Sequence, residues 1–226
     1  MRYNKIVSGV FIERPNRFIA LVEIDGKTEV CHVKNTGRCK EILVEGAKVF
    51  LERTDNPNRK TLYDLIAVYK GQELINIDSQ APNKVFGEWA LNHGYFGEKP
   101  FIKAESLFGR SRFDFYIEGE NRKHIVDVKG VTLEQDGVMS FPDAPTERGI
   151  KHINELIQAK KQGFEAHIFF VVQMENCHYF TPNRERHPEF AFSLKNAFDN
   201  GVDVKCVNCR VKPDELSILD FVEVRL

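Results

Sequence analysis

Two periodicities divide this chain. Over the first third, apolar and polar residues alternate with the period of two that marks strands. Residues 5–14 and 17–24 read as strands about a Pro15-Asn16 turn, and Asp25-Gly26 is a hairpin signal into a strand over 28–34. After the break at Asn35-Thr36-Gly37, residues 38–44 are expected to form a short helix, followed by strands over 47–53 and 62–69. Five strands with a helix between the third and fourth is the pattern of an OB-like β-barrel, assigned to residues 1–80. Such a barrel binds oligonucleotides in some proteins and serves as a packing or dimerising module in others, so a homodimer is compatible with it.

From Ala81 the period lengthens. Pro82 suits a first helical turn, and Val85, Phe86, Trp89 and Ala90 make one apolar stripe of a helix over 81–92. Strands are expected over 99–108, 111–117 and 124–131, then a loop over 132–143. A helix over 145–161 follows, with Ile150, Ile153, Leu156 and Ile157 as its buried stripe, and then a central strand over 165–174. A helix over 187–200 and strands over 202–211 and 216–224 complete the chain. The reading is therefore α/β overall: a five-stranded OB-like barrel, then an α/β domain with a mixed sheet over residues 81–226.

The candidate chemistry lies on the two middle strands of this second unit. Alternation puts Phe113, Phe115 and Ile117 on one face and Arg112, Asp114 and Tyr116 on the other. If Glu118 faces Lys123 across the Gly119-Glu120-Asn121-Arg122 turn, Asp114 falls opposite Asp127 and Arg112 opposite Lys129. Directly opposed like charges destabilise a sheet. A hard divalent cation removes the repulsion, since Mg²⁺ is commonly held by one or two carboxylates plus water and phosphate oxygens. Asp114, Asp127 and the Val128 carbonyl are the expected ligands of Mg²⁺ or Mn²⁺, with Lys129 orienting water or offsetting phosphate charge. Glu105 on the preceding strand, or Glu88 on the first helix, is a further acid, Glu105 being the nearer by topology. A mutually neutralising cluster of Asp114, Asp127, Arg112 and Lys129 is the alternative. The helix–strand–strand–strand–helix–strand order with Asp127-Val128-Lys129 on the third strand resembles the PD-(D/E)XK nuclease superfamily. Of three Asp-x-Lys tripeptides in the chain, only this one has a facing acid on the preceding strand. On the next helix Arg148, His152 and Glu155 share a face; if it overhangs the sheet, Arg148 grips a phosphate and Thr146 and His152 line the site.

The bulk numbers narrow the partners. A net charge of −1, divided as +2 before residue 80 and −3 after, excludes a polycation. Nucleic acid must then be held by local clusters, and Arg53, Arg59 and Lys60, flanking a barrel loop, are the expected contacts, with Arg112 nearer the site. Five scattered cysteines do not make a disulfide framework, and Cys206-Val-Asn-Cys209 lacks the second pair of a common zinc site. No apolar run is long enough to cross a membrane and the start lacks a signal-peptide core, so a cytoplasmic protein without membrane contact is expected.

Several stretches carry a family resemblance: Asn35-Thr36-Gly37, Ser111-Arg-Phe-Asp-Phe115, Asp127-Val-Lys-Gly-Val-Thr-Leu133 and Phe141-Pro-Asp-Ala-Pro-Thr-Glu-Arg-Gly-Ile-Lys-His152. Through them most of the chain resembles the sugar fermentation stimulation protein A (SfsA) family. The resemblance implies an OB-like domain followed by a nuclease-like one and DNA as the partner. It also implies a regulatory link to sugar (maltose) metabolism, and the site edge Asp143, Thr146, Glu147 and Arg148. Asp127 departs from the commoner Glu at that position, which keeps the charge and shortens the reach. Two functions are expected from this: a Mg²⁺-dependent nuclease, or a DNA-binding regulatory protein without turnover.

Overall fold

A computed structural model describes residues 1–226. The first six strands are β1 (Ile6–Asn16), β2 (Ile19–Ile24), β3 (Lys27–Val33), β4 (Lys48–Arg53), β5 (Tyr63–Lys70) and β6 (Glu73–Asn76). They run in the order β3-β2-β1-β4-β5-β6, and a parallel β3–β5 pairing closes the first five into a barrel. The expected barrel is therefore present, with two corrections. Residues 38–44 form turns rather than a helix: Cys39 has φ +49°, a conformation no helix accepts, while Ile42 and Leu43 still plug the barrel end. The second correction is β6, a short strand too brief to show periodicity, which pairs with β5.

The second unit holds helices α1 (Ala81–Asn92), α2 (Glu147–Lys161) and α3 (Pro188–Asp199) and strands β7 (Phe101–Phe108), β8 (Ser111–Gly119), β9 (Arg122–Val131), β10 (Leu133–Gln135), β11 (Val138–Phe141), β12 (Glu165–Val172), β13 (Tyr179–Pro182), β14 (Asp203–Lys212) and β15 (Glu215–Val224). The strands form one mixed sheet in the order β10-β11-β13-β15-β14-β12-β9-β8-β7, in which β9, β12 and β14 are parallel. Helix α1 covers one face through Val85, Phe86 and Ala90; α2 and α3 cover the other. The expected loop over 132–143 contains the β10–β11 hairpin, with Asp136 and Gly137 in the left-handed region at its turn.

Buried polar groups join the two units. Gln173 donates to the Asn76 side chain at 2.8 Å and to the Asp78 carbonyl at 3.0 Å, and Asn76 donates to the Tyr3 hydroxyl at 2.9 Å. Asp78 is fully buried and its carboxylate accepts from Lys34 at 3.4 Å. Because Ala81 N–H donates to the Asp78 carbonyl, this junction also sets where α1 begins.

Candidate active site

The expected register of β8 and β9 is observed as far as it can run. Glu118 pairs with Lys123, and the ladder continues to Phe115 and Val126. The next pair would be Asp114 and Asp127, and there the ladder stops. The Asp114 carboxylate takes the place of a backbone acceptor, with Oδ2 2.7 Å from the Val128 N–H. Its Oδ1 accepts from Asn83 Nδ2, at the start of α1, at 2.7 Å. The alternation of β8 also breaks here. Phe115 packs on Phe86 of α1, whereas Phe113 packs on the His152 ring of α2. Phe113 and Phe115 thus lie on opposite faces, not on one as alternation predicts. On β7 the matching residue, Glu105, has φ +53° and is skipped by the β7–β8 pairing. An L-residue in that region turns its side chain out of the pleat.

Asp127 is fully buried on the α2 side. Lys129 Nζ lies 2.7 Å from its Oδ2, and His152 Nδ1 lies 2.9 Å from its Oδ1. Arg148 Nε donates to His152 Nε2 at 3.3 Å, so a neutral His152 carries its proton on Nδ1, facing Asp127. The Lys129 contact is an ion pair without hydrogen-bond geometry, and Asp127 Oδ2 has no hydrogen-bond donor. Burial pushes the Asp127 carboxyl up, but Lys129 and His152 together outweigh it and hold it below the ordinary value. The Asp114 carboxyl moves the other way: burial and the Asp127 charge raise it, only partly offset by the Val128 N–H, Lys129 and Asn83. Two adjacent carboxylates thus have opposite proton preferences set by their surroundings.

The site gathers Asp114, Asp127, Val128, Lys129, His152 and Arg148. It does not gather the other expected residues. Glu105 is exposed and pairs with Arg112 at 3.2 Å, so neither faces the aspartates. Glu88 pairs with the Met1 ammonium at 2.7 Å. Thr146 caps α2, its hydroxyl accepting from Gly149 N–H at 3.1 Å. Glu147 is exposed near His187, and Asp143 lies beside the loop at Gly37, across the gap between the two units. In the barrel Arg59 is locked onto the buried Asp64 carboxylate, which also holds Lys34 at 3.2 Å; Arg53 and Lys60 are exposed. Asn83 is the contributor that the sequence did not announce, because a polar residue in a first helical turn is ordinary. Cys206 and Cys209 lie buried on β14, and burial pushes the Cys209 thiol up to about 12.

A hard cation fits this donor set in kind, since every candidate atom is an oxygen and the Oδ2 of the buried Asp127 is met only by the Lys129 ammonium. No three His, Cys, Asp or Glu side chains cluster at metal-binding distance anywhere in the chain. The side chains that remain are the two carboxylates of Asp114 and Asp127. No helix is long and apolar enough to cross a membrane.

Comparison with known proteins follows the same division. The family model described as the SfsA N-terminal OB domain matches residues 12–77, and that described as the sugar fermentation stimulation protein RE domain matches residues 80–215. A sugar fermentation stimulation protein homolog of Desulfitobacterium hafniense is 57% identical over 226 residues, spanning 100% of this chain and 99% of that protein. One from Clostridium beijerinckii is 53% identical, spanning 100% of each. A solved structure described as Pyrococcus furiosus SfsA in complex with Ca²⁺ superposes with a TM-score of 0.87 at 26% identity, covering 100% of this chain and 98% of that one. With models matching both units and relatives matching end to end, the chain belongs to the sugar fermentation stimulation protein (SfsA) family.

Proposed function

We propose that this protein binds nucleic acid and hydrolyses its phosphodiester bonds with a divalent cation, Mg²⁺ or Mn²⁺, held by Asp114, Asp127 and the Val128 carbonyl. Asp127 carries the reading: a fully buried, ionised carboxylate whose Oδ2 is met only by the Lys129 ammonium, with the half-buried Asp114 carboxylate close enough to feel its charge. Two neighbouring carboxylates with one ammonium between them leave negative charge that a divalent cation would offset. In support, the Pyrococcus furiosus relative is described in complex with Ca²⁺, a cation of the same hard class.

When bound, the cation polarises the phosphoryl group and lowers the pKa of a coordinated water. The chain's own residues do the rest. His152 fixes one Asp127 oxygen, and Asn83 and the Val128 N–H fix both oxygens of Asp114, so the carboxylates stay aimed. Lys129 pairs with Asp127 Oδ2 at 2.7 Å, and its ammonium would offset charge that develops on phosphate were a cation held by the carboxylates. Arg148 keeps its terminal nitrogens for phosphate while its Nε holds His152.

A second reading has one observation in its favour: Lys129 and His152 already neutralise Asp127, so the group is a closed ion cluster as it stands. The protein would then be a non-catalytic DNA-binding regulator. Calorimetric titration of Mg²⁺ and Mn²⁺ into wild type and Asp114→Asn, with cleavage assays on single- and double-stranded DNA and RNA, separates the two. The nuclease reading expects cation binding that the substitution abolishes, together with cutting of at least one substrate. Absence of cation binding to wild type leaves the ion cluster and the regulator.

A further inference from the structure

Three hollows, the first on the barrel and the other two between it and the second unit, adjoin through shared lining residues and are taken together as one groove. The first, of about 260 Å³, is lined by Arg17, Thr36, Arg38 and Lys40. It shares Thr36, Gly37, Arg38 and Lys40 with a second of about 440 Å³, which adds Asp143 and Arg186. The second shares Thr36, Gly37, Leu133 and Asp143 with a third of about 180 Å³, which ends at Gly130, Val131 and Thr132. Gly130 is three residues beyond Asp127 on β9, about 10 Å along the strand. The groove therefore runs from the β1–β2 turn of the barrel to the end of the strand that carries the candidate site.

Its charge is positive. Unlike Arg59, which Asp64 neutralises, Arg17, Arg38, Lys40 and Arg186 have no carboxylate within ion-pair distance. The acids lining it are Glu41 and Asp143. Its floor is held by Arg14, whose guanidinium donates to the carbonyls of Arg17, Asn35, Gly37 and Arg38 at 2.6–2.8 Å. That clip fixes the 35–38 loop against the β1–β2 turn, so the free cations are presented on a backbone already in place. Arg17 is followed by Phe18, which lies outside the lining of the three hollows and is 50% exposed, with the Arg17 guanidinium 5.6 Å above its ring. An exposed aromatic beside free cations is the combination that stacks an unpaired base while the cations take phosphates. A duplex keeps its base faces covered and cannot use it.

We propose that a single strand of nucleic acid lies in this groove, with Arg17, Arg38, Lys40 and Arg186 on its phosphates and a base stacked on Phe18 just outside its barrel end, and so reaches Asp114 and Asp127 from the barrel side. The proposal rests on the reading that the protein acts on nucleic acid. It replaces the loop of Arg53, Arg59 and Lys60 as the barrel's contact, since none of those three lines the groove.

The test is fluorescence anisotropy in EDTA, where no cation-dependent cutting occurs, with a labelled DNA strand of about 12 nucleotides, the range one OB domain covers. The same sequence as RNA and as duplex DNA provides the comparison arms. The triple variant Arg17→Ala/Arg38→Ala/Lys40→Ala is expected to bind the strand at least about tenfold more weakly near 50 mM salt. Its log–log salt slope should fall by about 2, the equivalent of three phosphate contacts. Arg53→Ala/Lys60→Ala should stay within about twofold of wild type by the same measure. Phe18→Leu should weaken the single strand and leave the duplex unchanged. Cation titration and melting of the triple variant should match wild type, because these side chains are exposed and outside the site. Wild-type affinity in the triple variant, or a loss that follows Arg53 and Lys60 instead, overturns the groove alone. A wild type that binds no strand in any arm removes the nucleic-acid reading and the groove with it.

Discussion

Replacing Asp114 with Asn should make the cation-free protein more stable while removing its response to cations. The ladder stops short of Asp114 and Asp127, so they are not a regular cross-strand pair, but the Asp127 charge reaches Asp114 and raises its carboxyl. For charges roughly 5 Å apart at an effective dielectric of about 20, the repulsion is about 3 kcal/mol. Lys129 offsets part of this, because its charge also acts on Asp114, so the net relief is about 1–2 kcal/mol. Hydrogen bonding need not suffer. The oxygen of the introduced amide accepts from the Val128 N–H, and a flipped Asn83 presents its own oxygen to the amide's NH₂ group. In a domain of this size each kcal/mol moves the melting temperature by about 2–4 °C, so a rise of about 2–8 °C is expected in EDTA at pH 7. Added Mg²⁺ should raise wild type, by about 2.7 kcal/mol at a hundredfold excess over Kd, and leave the variant unmoved. The pH dependence has a definite sign. The folded Asp114 carboxyl is raised, so its penalty is absent in acid, where folded and unfolded states are both protonated. The penalty grows as pH rises through the folded value. The gap in melting temperature should therefore close on acidification. A variant that melts lower than wild type in EDTA, or that keeps the Mg²⁺ response, refutes the account of Asp114 as a carboxylate held at a cost for a cation.

Lys129→Met strands the buried Asp127 charge on His152 alone and should cost about 3–5 kcal/mol by urea denaturation; it should keep or tighten cation binding yet abolish cutting, and a variant that still cuts would remove Lys129 from the chemistry. His152→Ala takes away the donor to Asp127 Oδ1 and should weaken cation affinity about 10–100-fold by calorimetry, an unchanged affinity showing that His152 only packs. Gly130→Ala would bring a methyl to 2.7 Å from Pro82 Cγ and 2.8 Å from Gln173 Oε1, so a loss of about 1–3 kcal/mol is expected, and equal stability in urea would mean that α1 shifts freely.

What the sequence yields about this site ends where the backbone becomes irregular. The pairing of Glu118 with Lys123 follows from a hairpin turn and alternation alone, and it carries through to Phe115 and Val126. One residue further, Asp114 inserts its carboxylate into the ladder and Glu105 adopts a left-handed φ on the neighbouring strand. No periodicity encodes either event, so Phe113 is assigned to the wrong face and Glu105 to the wrong role. The helical pattern of α2 does place Arg148 and His152 together, and the structure supplies what spacing cannot: which way that face points. The cations of the barrel fail for a related reason. Arg59 reads as free in sequence, but the loop before β5 folds it back onto Asp64, five residues on, and no periodicity encodes that turn. The strands β6 and β13, at four residues each, are too short to carry a period.

The junction between the two units ties the barrel to the chemistry. The chain leaves the barrel through β6, buries Asn76 and Asp78 against Gln173 of the second unit, and starts α1 at once. Two residues into α1, Asn83 reaches Asp114; beside it Pro82 packs so closely over Gly130 that no side chain fits there. The same segment therefore fixes one ligand carboxylate and the end of β9 where the groove opens. Asn83, two residues into the helix that the junction starts, is the contact between that segment and Asp114. Since Asn83 holds the carboxylate whose charge is the less comfortable of the two, the proton and cation occupancy of Asp114 should respond to what the barrel binds. Cation affinity measured with and without a bound strand, using Asn83→Ala to cut the link, is the quantity in which that coupling would appear, and equal affinities in the intact protein would show that the junction is only a hinge post.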